Sequence, residues 1–169
     1  MAAIVEIDEQ NGKVASSIHT HNIANSNMGS ENASSLDPAK NPIAQGANSY
    51  EKWQLIHVVS MGTATSISNL KVWRTGSLGA HANHLTNART TSYGGAENFT
   101  TPTNAVSTVA TQSMPTQAPT SANLGIGGSL TGSLTQPGYS DFLVHQIQTD
   151  TSAISGSSTT LNYSYDETS

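Results

Sequence analysis

Residues 49–74 read SYEKWQLIHVVSMGTATSISNLKVWR, and this stretch decides the fold of the chain. It contains both tryptophans, three of the six basic residues and the densest apolar cluster in the sequence. Two β-type runs, Trp53–Val59 and Ile67–Trp73, flank a polar connector of Gly, Thr and Ser. Val, Ile, Trp and Thr favour a pleated, half-buried surface, and a connector with Gly between such runs indicates a hairpin or a tight corner. We expect this stretch to form the centre of a β-sandwich core.

The first run is apolar on both faces. Strand alternation places Trp53 and Leu55 on one face, together with Val59. The same alternation places Ile56 and Val58 on the other face. A strand that is apolar on both faces is central, or is covered on its second side by another layer.

The second run follows the same pattern. Alternation places Leu70 and Val72 on the face opposite Ile67 and Trp73. Trp on a buried-type strand is more often a core residue than part of a carbohydrate platform. We therefore expect both Trp53 and Trp73 in the core.

Further strands are expected where short apolar runs are bounded by turn signals. A first strand is expected at 4–7, followed by a two-residue turn at Asn11-Gly12 and a returning strand within 13–23. The other expected strands are 107–113, 124–135 (interrupted by a bulge or turn), 141–148 and 161–165. In the last strand, Leu161, Tyr163 and Tyr165 alternate with polar residues and are expected to face the core. No stretch predicts a helix. The sequence thus predicts an all-β fold, an antiparallel β-sandwich of the Ig-like or jelly-roll type.

The chain divides into two expected parts. Residues 1–48, rich in Asn, Ser, Gly and Pro after position 24, are interpreted as an extended N-terminal arm that orders on contact with a partner. The alternative is a first strand and a long surface loop of the same domain. Residues 49–169 are expected to form the β-sandwich domain. Within it, residues 75–98 have few apolar anchors and are interpreted as an exposed binding loop.

Composition excludes several classes of protein. Charged residues make up only 10% of the chain, whereas Ser and Thr number 24 and 21. The formal net charge of −5 with six scattered Lys and Arg argues against a nucleic-acid partner, because phosphate neutralisation needs clustered positive charge. No apolar run approaches the length of a membrane span. Without cysteine, the chain can form neither disulfides nor thiolate metal sites.

The histidines offer the candidate metal pairs, His19-x-His21 and His81-x-x-His84. Alternating histidines on a strand share a face, but a site needs three or four converging ligands. Since no carboxylate lies nearby in sequence at a fixed spacing, exposed loop histidines are the preferred interpretation. His57, within a strong strand, is expected to be a core or interface residue, and so is His145.

Other chemistry-bearing patterns are weak. Asp8-Glu9 and Asp166-Glu167 lie near the chain ends, where solvated carboxylates are expected. Residues 125–128 (Gly-Ile-Gly-Gly) lack the Lys and Ser or Thr of a phosphate loop, so glycines at a bulge or corner are preferred. We expect no enzyme, and no catalytic, cofactor-binding or metal-ligating residues.

Several elements resemble structural proteins of tailed bacteriophages. They are residues 49–53 (SYEKW), 67–73 (ISNLKVW), 109–111 (VAT), 115–119 (PTQAP), 128–134 (GSLTGSL), 138–144 (GYSDFLV) and 163–167 (YSYDE), in this order. The resemblance spans roughly residues 49–167. It implies a non-enzymatic particle component, a capsid decoration or cement protein on the virion surface. The implied partners are the major capsid protein and neighbouring copies in a homo-oligomer or lattice. The alternative function is a receptor- or glycan-binding module of a head or tail fibre that uses residues 75–98.

Overall fold

The computed structural model describes residues 1–11, 18–88, 112–154 and 156–169. This part of the chain contains ten β-strands and no helix, in agreement with the all-β prediction. The strands are β1 (Ile4–Asn11), β2 (Ile18–Thr20), β3 (Lys52–Ser60), β4 (Ser66–Thr75), β5 (Ala82–Ala88), β6 (Gln112–Ser113), β7 (Ser133–Leu134), β8 (Gly138–Tyr139), β9 (Leu143–Thr149) and β10 (Thr160–Thr168). The described residues accordingly contain no helix long and apolar enough to cross a membrane.

The strands form two antiparallel sheets. The larger sheet has the order β2-β1-β3-β9-β5-β6, with the short β8 also paired to β3. The smaller sheet has the order β10-β4-β7. This arrangement confirms the predicted antiparallel β-sandwich.

Residues 49–74 pass from one sheet to the other. β3 belongs to the larger sheet and β4 to the smaller, so the connector between them is a corner and not a hairpin. Ile56 and Val58 of β3 meet Ile67, Leu70 and Val72 of β4 in the main hydrophobic core. All five side chains are almost fully buried. Each stabilises the fold by roughly 1.5–3 kcal/mol through burial, so this corner is the main apolar contact between the sheets.

A bulge in β4 changes which side chains face the core. Strand alternation predicted Ile67 opposite Leu70 and Val72, but all three are buried in the same core. Asn69 adopts a left-handed backbone with φ of 54°, and the pairing with β10 shifts register at this point. The extra residue reverses the alternation, so Ile67 returns to the inner face. The prediction of opposed faces was wrong because a bulge leaves no period-2 signature.

The two tryptophans have different environments. Trp53 is buried in a second apolar cluster, on the face of β3 opposite the main core, and contacts the Phe142 ring edge-on at a centroid distance of 5.1 Å. Its indole nitrogen donates a hydrogen bond of 2.8 Å to Glu51. Trp73 is only half-buried, and the prediction that it is a core residue was wrong. It follows Val72 directly, so alternation turns it away from the core.

The described part of residues 1–48 does not show an extended arm. β1 pairs with β3 from Ile4 opposite Ser60 to Gln10 opposite Trp53, and it is an integral strand of the larger sheet. This arrangement matches the alternative, a first strand followed by a long connection. The two-residue turn predicted at Asn11-Gly12 is also absent, because Asn11 is a strand residue paired with Ile18.

The interpretation of residues 75–98 as a loop is wrong for part of that range. Ala82–Ala88 forms β5, which pairs with β9 along its full length. The sequence of β5 is polar, but two of its polar side chains, His84 and Thr86, are buried and bonded to β9. Hydrogen bonds with β9 therefore replace the apolar alternation that would have revealed the strand. Residues 89–98 lie outside the described residues.

The remaining predicted strands are found with shifted bounds. The predictions at 141–148 and 161–165 correspond to β9 and β10, and Leu161, Tyr163 and Tyr165 pack against the main core as expected. Of the predicted strand at 107–113, β6 (Gln112–Ser113) is described and residues 107–111 lie outside the described part. In 124–135 only the two residues of β7 form a strand, after a turn at residues 126–129.

A buried ion pair ties β1 to β3 on the inner face of the larger sheet. The ammonium of Lys52 lies 3.1 Å from a carboxylate oxygen of Glu9, and both side chains are 1% exposed. Lys52 also donates to the side-chain oxygen of Asn11 at 3.2 Å. Gln54 donates to the other oxygen of Glu9 and accepts a bond of 2.6 Å from the Tyr163 hydroxyl of β10. This network links the two sheets by polar contacts where the apolar core ends.

Removing one charge of this pair should be costly. We expect Lys52→Ala to lower the free energy of unfolding by about 3–5 kcal/mol, because the Glu9 carboxylate stays buried without its cation. The matched control is Lys40→Ala, which removes an exposed lysine 3.6 Å from Asp37 and should change stability by less than about 1 kcal/mol. Urea unfolding of the three proteins measures both values. Similar losses for the two variants would contradict a stabilising role of the buried pair.

A histidine pair lies between β5 and β9. The Nε2 atom of His84 and the Nδ1 atom of His145 are 2.8 Å apart, and both rings are buried. Burial, reinforced by the charge of Arg74, lowers the pKa of His84 from 6.5 to about 4. Burial also lowers the pKa of His145 well below its ordinary value, with smaller effects from His84 and Lys52. Both imidazoles are therefore neutral in the folded protein at pH 7.

Stability should consequently fall as the pH drops from 6.5 towards 4. The unfolded chain binds a proton at His84 in this window and the folded chain does not, which costs up to about 1.4 kcal/mol per pH unit. His84→Gln should make the dependence of unfolding free energy on pH shallower between pH 6.5 and 5. The control Lys40→Gln alters an exposed side chain that does not titrate between pH 6.5 and 5 and should keep the wild-type slope. An unchanged slope in His84→Gln would refute this assignment.

Candidate metal centre

Five polar side chains converge on the face of the larger sheet opposite the main core. Glu6 and Asp8 belong to β1, His19 to β2, His21 follows β2, and His57 belongs to β3. Strand pairing brings them together, because Glu6 lies opposite His57, and Asp8, two residues further along β1, lies on the same face as Glu6. We call these five residues the outer-face cluster.

Three imidazole nitrogens point at one oxygen of Asp8. The distances to Asp8 Oδ2 are 2.9 Å from His19 Nε2, 2.8 Å from His21 Nδ1 and 3.1 Å from His57 Nδ1. His57 Nδ1 also lies 3.0 Å from Glu6 Oε1, and His21 Nδ1 lies 3.7 Å from the same oxygen. His19 and His21 are hydrogen-bonded to Asp8 Oδ2 and account for its two lone pairs, while His57 is hydrogen-bonded to Glu6.

The Asp8 carboxylate is fully buried. Its side chain is 0% exposed, and among the described residues only histidines lie within ion-pair distance of it. Its second oxygen accepts a hydrogen bond of 3.0 Å from the backbone N–H of Asn22. A buried carboxylate is costly without compensating positive charge, so a cation bound at the centre of the cluster would stabilise it.

Ring stacking fixes the orientation of the histidines. His57 stacks on Tyr139 of β8, with ring centroids 4.3 Å apart and an angle of 17° between the planes. His19 and His21 stack on each other at 4.3 Å and 26°. Orienting contacts of this kind hold the ring nitrogens towards Asp8 and reduce the freedom that a bound ion would have to restrict.

Four of the five residues have the geometry of a ligand set. One ligand atom from each of Glu6, Asp8, His21 and His57 lies within 4.8 Å of all the others. The His21 side chain is 55% exposed, so solvent reaches the cluster from its side. His19 hydrogen-bonds Asp8 and stacks on His21, so it is placed to orient both side chains.

The sequence identified part of this cluster. His19 and His21 share a face as predicted, but the expectation that no carboxylate accompanies them fails in three dimensions. Glu6 and Asp8 alternate on β1 in the same way as His19 and His21 do. Two alternating polar pairs on neighbouring strands were the sequence signal for this cluster. The turn predicted at Asn11-Gly12 gave the wrong register and hid this match. His57 lies in a strong strand as expected, but contributes to this surface cluster.

The second histidine pair does not form a site. His81 is exposed and its Nδ1 atom lies 2.8 Å from Asp150 Oδ2. The hydrogen bond from His81, followed by one from the Ser152 backbone, lowers the pKa of the Asp150 carboxyl. His84 lies inside the sandwich and contacts His145. His145 is buried, as expected from its position in a strong strand. The two members of the motif therefore have separate partners.

The glycine-rich stretch at 125–128 forms a corner, as preferred from the sequence. Gly127 and Gly128 have φ of 60° and 82°, and Ile126 and Ser129 exchange two backbone hydrogen bonds around them. The Gly128 N–H donates to the carboxylate of Asp141 at 2.8 Å. Burial raises the pKa of this carboxyl, while the glycine N–H groups oppose the rise. The turn binds a carboxylate of its own chain.

The acidic pairs differ from each other. Asp166 and Glu167 are exposed, as expected near a chain end. Asp8 and Glu9 are buried, so the expectation of solvated carboxylates is wrong for them. Adjacent strand residues point to opposite faces, and each finds its own polar partners: Glu9 on the inner face and Asp8 on the outer.

The outer-face cluster has to be interpreted from its own geometry. Comparisons with protein-family models, with curated proteins and with solved structures find no match to this chain.

Proposed function

We propose that the protein is a non-catalytic structural component of a tailed-phage particle, a decoration or cement protein on the capsid surface. Its partners in this proposal are the major capsid protein and neighbouring copies of the chain. The resemblance over residues 49–167 suggests this class, and a two-sheet β-sandwich without cysteine is compatible with it.

An exposed apolar corner carries the proposal. Ile4 and Val59 are 53% and 42% exposed, and the neighbouring Met1 is also exposed. Their backbones are neighbours, because Ile4 pairs with Ser60, the residue after Val59, at a bulge, and the Thr63 N–H donates to the Met1 carbonyl. We call Met1, Ile4 and Val59 the corner patch. Exposed apolar side chains gathered at one place are typical of surfaces that contact other proteins.

The surrounding surface chemistry suits a lattice of protein contacts. Only 10% of the residues are charged, and the 45 Ser and Thr (24 and 21) supply neutral hydroxyl groups. Desolvating hydroxyls at an interface costs less than desolvating charges. In a symmetric lattice, many weak contacts of this kind act together and reinforce the assembly by mass action.

A groove favours the second candidate, the receptor- or glycan-binding module. Its lining combines small polar and apolar side chains: Ser68, Asn69, Thr120, Ser121, Ala122, Leu130 and Thr131. Hydroxyl and amide groups can hydrogen-bond sugar hydroxyls, while Leu130 offers an apolar contact. This groove lies outside residues 75–98, the range expected to bind glycans.

The capsid proposal is tested on purified heads of the phage that encodes the chain. The protein should co-sediment with the heads and raise the temperature at which they rupture. The double variant Ile4→Ser/Val59→Ser replaces two of the three side chains of the corner patch. It should weaken binding to the heads at least about tenfold, because two apolar contacts are lost. Quantified sedimentation over a range of protein concentrations gives the affinity.

The matched control is Ile154→Ser, which removes an exposed isoleucine elsewhere on the protein and should bind like wild type. Absence of co-sedimentation would refute the proposal, and specific binding on a glycan array would favour the fibre module instead. Binding without any change in the rupture temperature would leave decoration and eliminate cementing.

A further inference from the structure

We infer that the outer-face cluster is a binding site for a divalent transition-metal ion, with zinc as the representative ion. The ligands are one carboxylate oxygen from each of Glu6 and Asp8 and the Nδ1 atoms of His21 and His57. This inference rests on the geometry of the cluster and is independent of the capsid proposal.

The distances fit a small cation. The contacts among the ligand atoms are 2.8 Å between His21 and Asp8, 3.0 Å between His57 and Glu6, and 3.1 Å between His57 and Asp8. Zinc bonds of about 2.0–2.2 Å in a tetrahedron set the ligand atoms roughly 3.4 Å apart. Small outward movements of the side chains therefore open the centre for an ion.

The charges also fit. Imidazoles bind metal ions in their neutral form, so two carboxylate and two imidazole ligands would together carry a charge of −2, which a divalent ion balances. Asp8 is fully buried, and its ion-pair partners among the described residues are histidines only. A cation bonded to Asp8 would compensate the charge of this buried carboxylate directly.

The donor set selects the class of metal. Two imidazole nitrogens with two carboxylate oxygens suit zinc and its first-row neighbours. Calcium requires six to eight oxygen ligands and magnesium keeps an octahedral shell of oxygens. Neither preference is met by this group of four side chains.

The contacts around the ligands are those that support a metal site. Tyr139 stacks against the ring of His57 and holds its Nδ1 atom inward. His19 Nε2 and the Asn22 N–H bond the two oxygens of Asp8, one each, and hold its carboxylate in place. We assign His19 as a positioning residue and not as a ligand, because it hydrogen-bonds Asp8 and stacks on His21 but is not one of the four side chains whose ligand atoms converge.

Bound metal would connect three segments of the larger sheet. Glu6 and Asp8 are on β1, His57 is on β3, and His21 follows β2, the strand at the sheet edge. β2 has three residues and pairs with β1 alone. A shared ion would fix the residues after β2 to the body of the sheet, as a disulfide fixes loops in other small proteins.

The test uses the full chain prepared without a polyhistidine tag and treated with a chelator. Isothermal titration with Zn²⁺ should show one ion per chain with a dissociation constant of about 1 μM or below. Saturating Zn²⁺ should raise the melting temperature by about 5 °C or more. Co²⁺ should give the visible absorption of a four-coordinate site, and millimolar Ca²⁺ or Mg²⁺ should not compete.

Three variants assign the site. His21→Ala removes an exposed ligand and should weaken Zn²⁺ binding by at least about 100-fold, as should Glu6→Gln. His19→Gln should weaken binding by about 10-fold to 100-fold and keep the Co²⁺ spectrum, because the ligands remain. Circular dichroism without metal verifies that each variant keeps the wild-type fold.

The matched control is His81→Ala, which removes an exposed histidine that also contacts a carboxylate, and it should bind Zn²⁺ like wild type. The inference is overturned if wild type shows no saturable Zn²⁺ binding. It is also overturned if His21→Ala and Glu6→Gln both bind as tightly as wild type, or if His81→Ala loses as much affinity as they do.

Discussion

The pairing of β1 with β3 is the contact on which the rest of this structure depends. Its register places Glu9 opposite Gln54 on the inner face and Asp8 opposite Leu55 on the outer face. Each face thereby receives a fully buried carboxylate from neighbouring positions of one strand. A shift of one residue would exchange the two faces and leave both carboxylates without their partners. Register is therefore specified by charge as well as by apolar pattern.

The two carboxylates have different compensation. Glu9 has a lysine, an asparagine and a glutamine, which together satisfy the charge and both oxygens. Asp8 has three imidazoles and one backbone N–H. The first arrangement is a closed structural network on the side of the second sheet. The network around Asp8 is open to solvent at His21. Because of this difference, we assign a structural role to the Glu9 network and a binding role to the Asp8 network.

The sequence predicts the parts of the fold that depend on apolar alternation. β3, β9 and β10 were located because they carry Trp, Val, Ile, Leu or Tyr in short runs, and burial selects such runs. Elements that depend on other forces were missed. β5 is held by buried polar pairs, and the bulge at Asn69 is a backbone conformation. The cluster around Asp8 depends on the register between β1 and β2, and the turn predicted at Asn11-Gly12 gave a different register.

The position of the cluster relates the two proposals to each other. Glu6 follows Ile4 by two residues on β1, and His57 precedes Val59 by two residues on β3. The corner patch and the proposed ligands therefore occupy neighbouring positions on the same two strands. An ion shared by Glu6 and His57 would restrain the spacing of β1 and β3 beside the patch, where the ladder shifts register at Ile4. Since a contact surface gains affinity when it is held in its bound shape, metal at the cluster and binding at the corner are expected to reinforce each other.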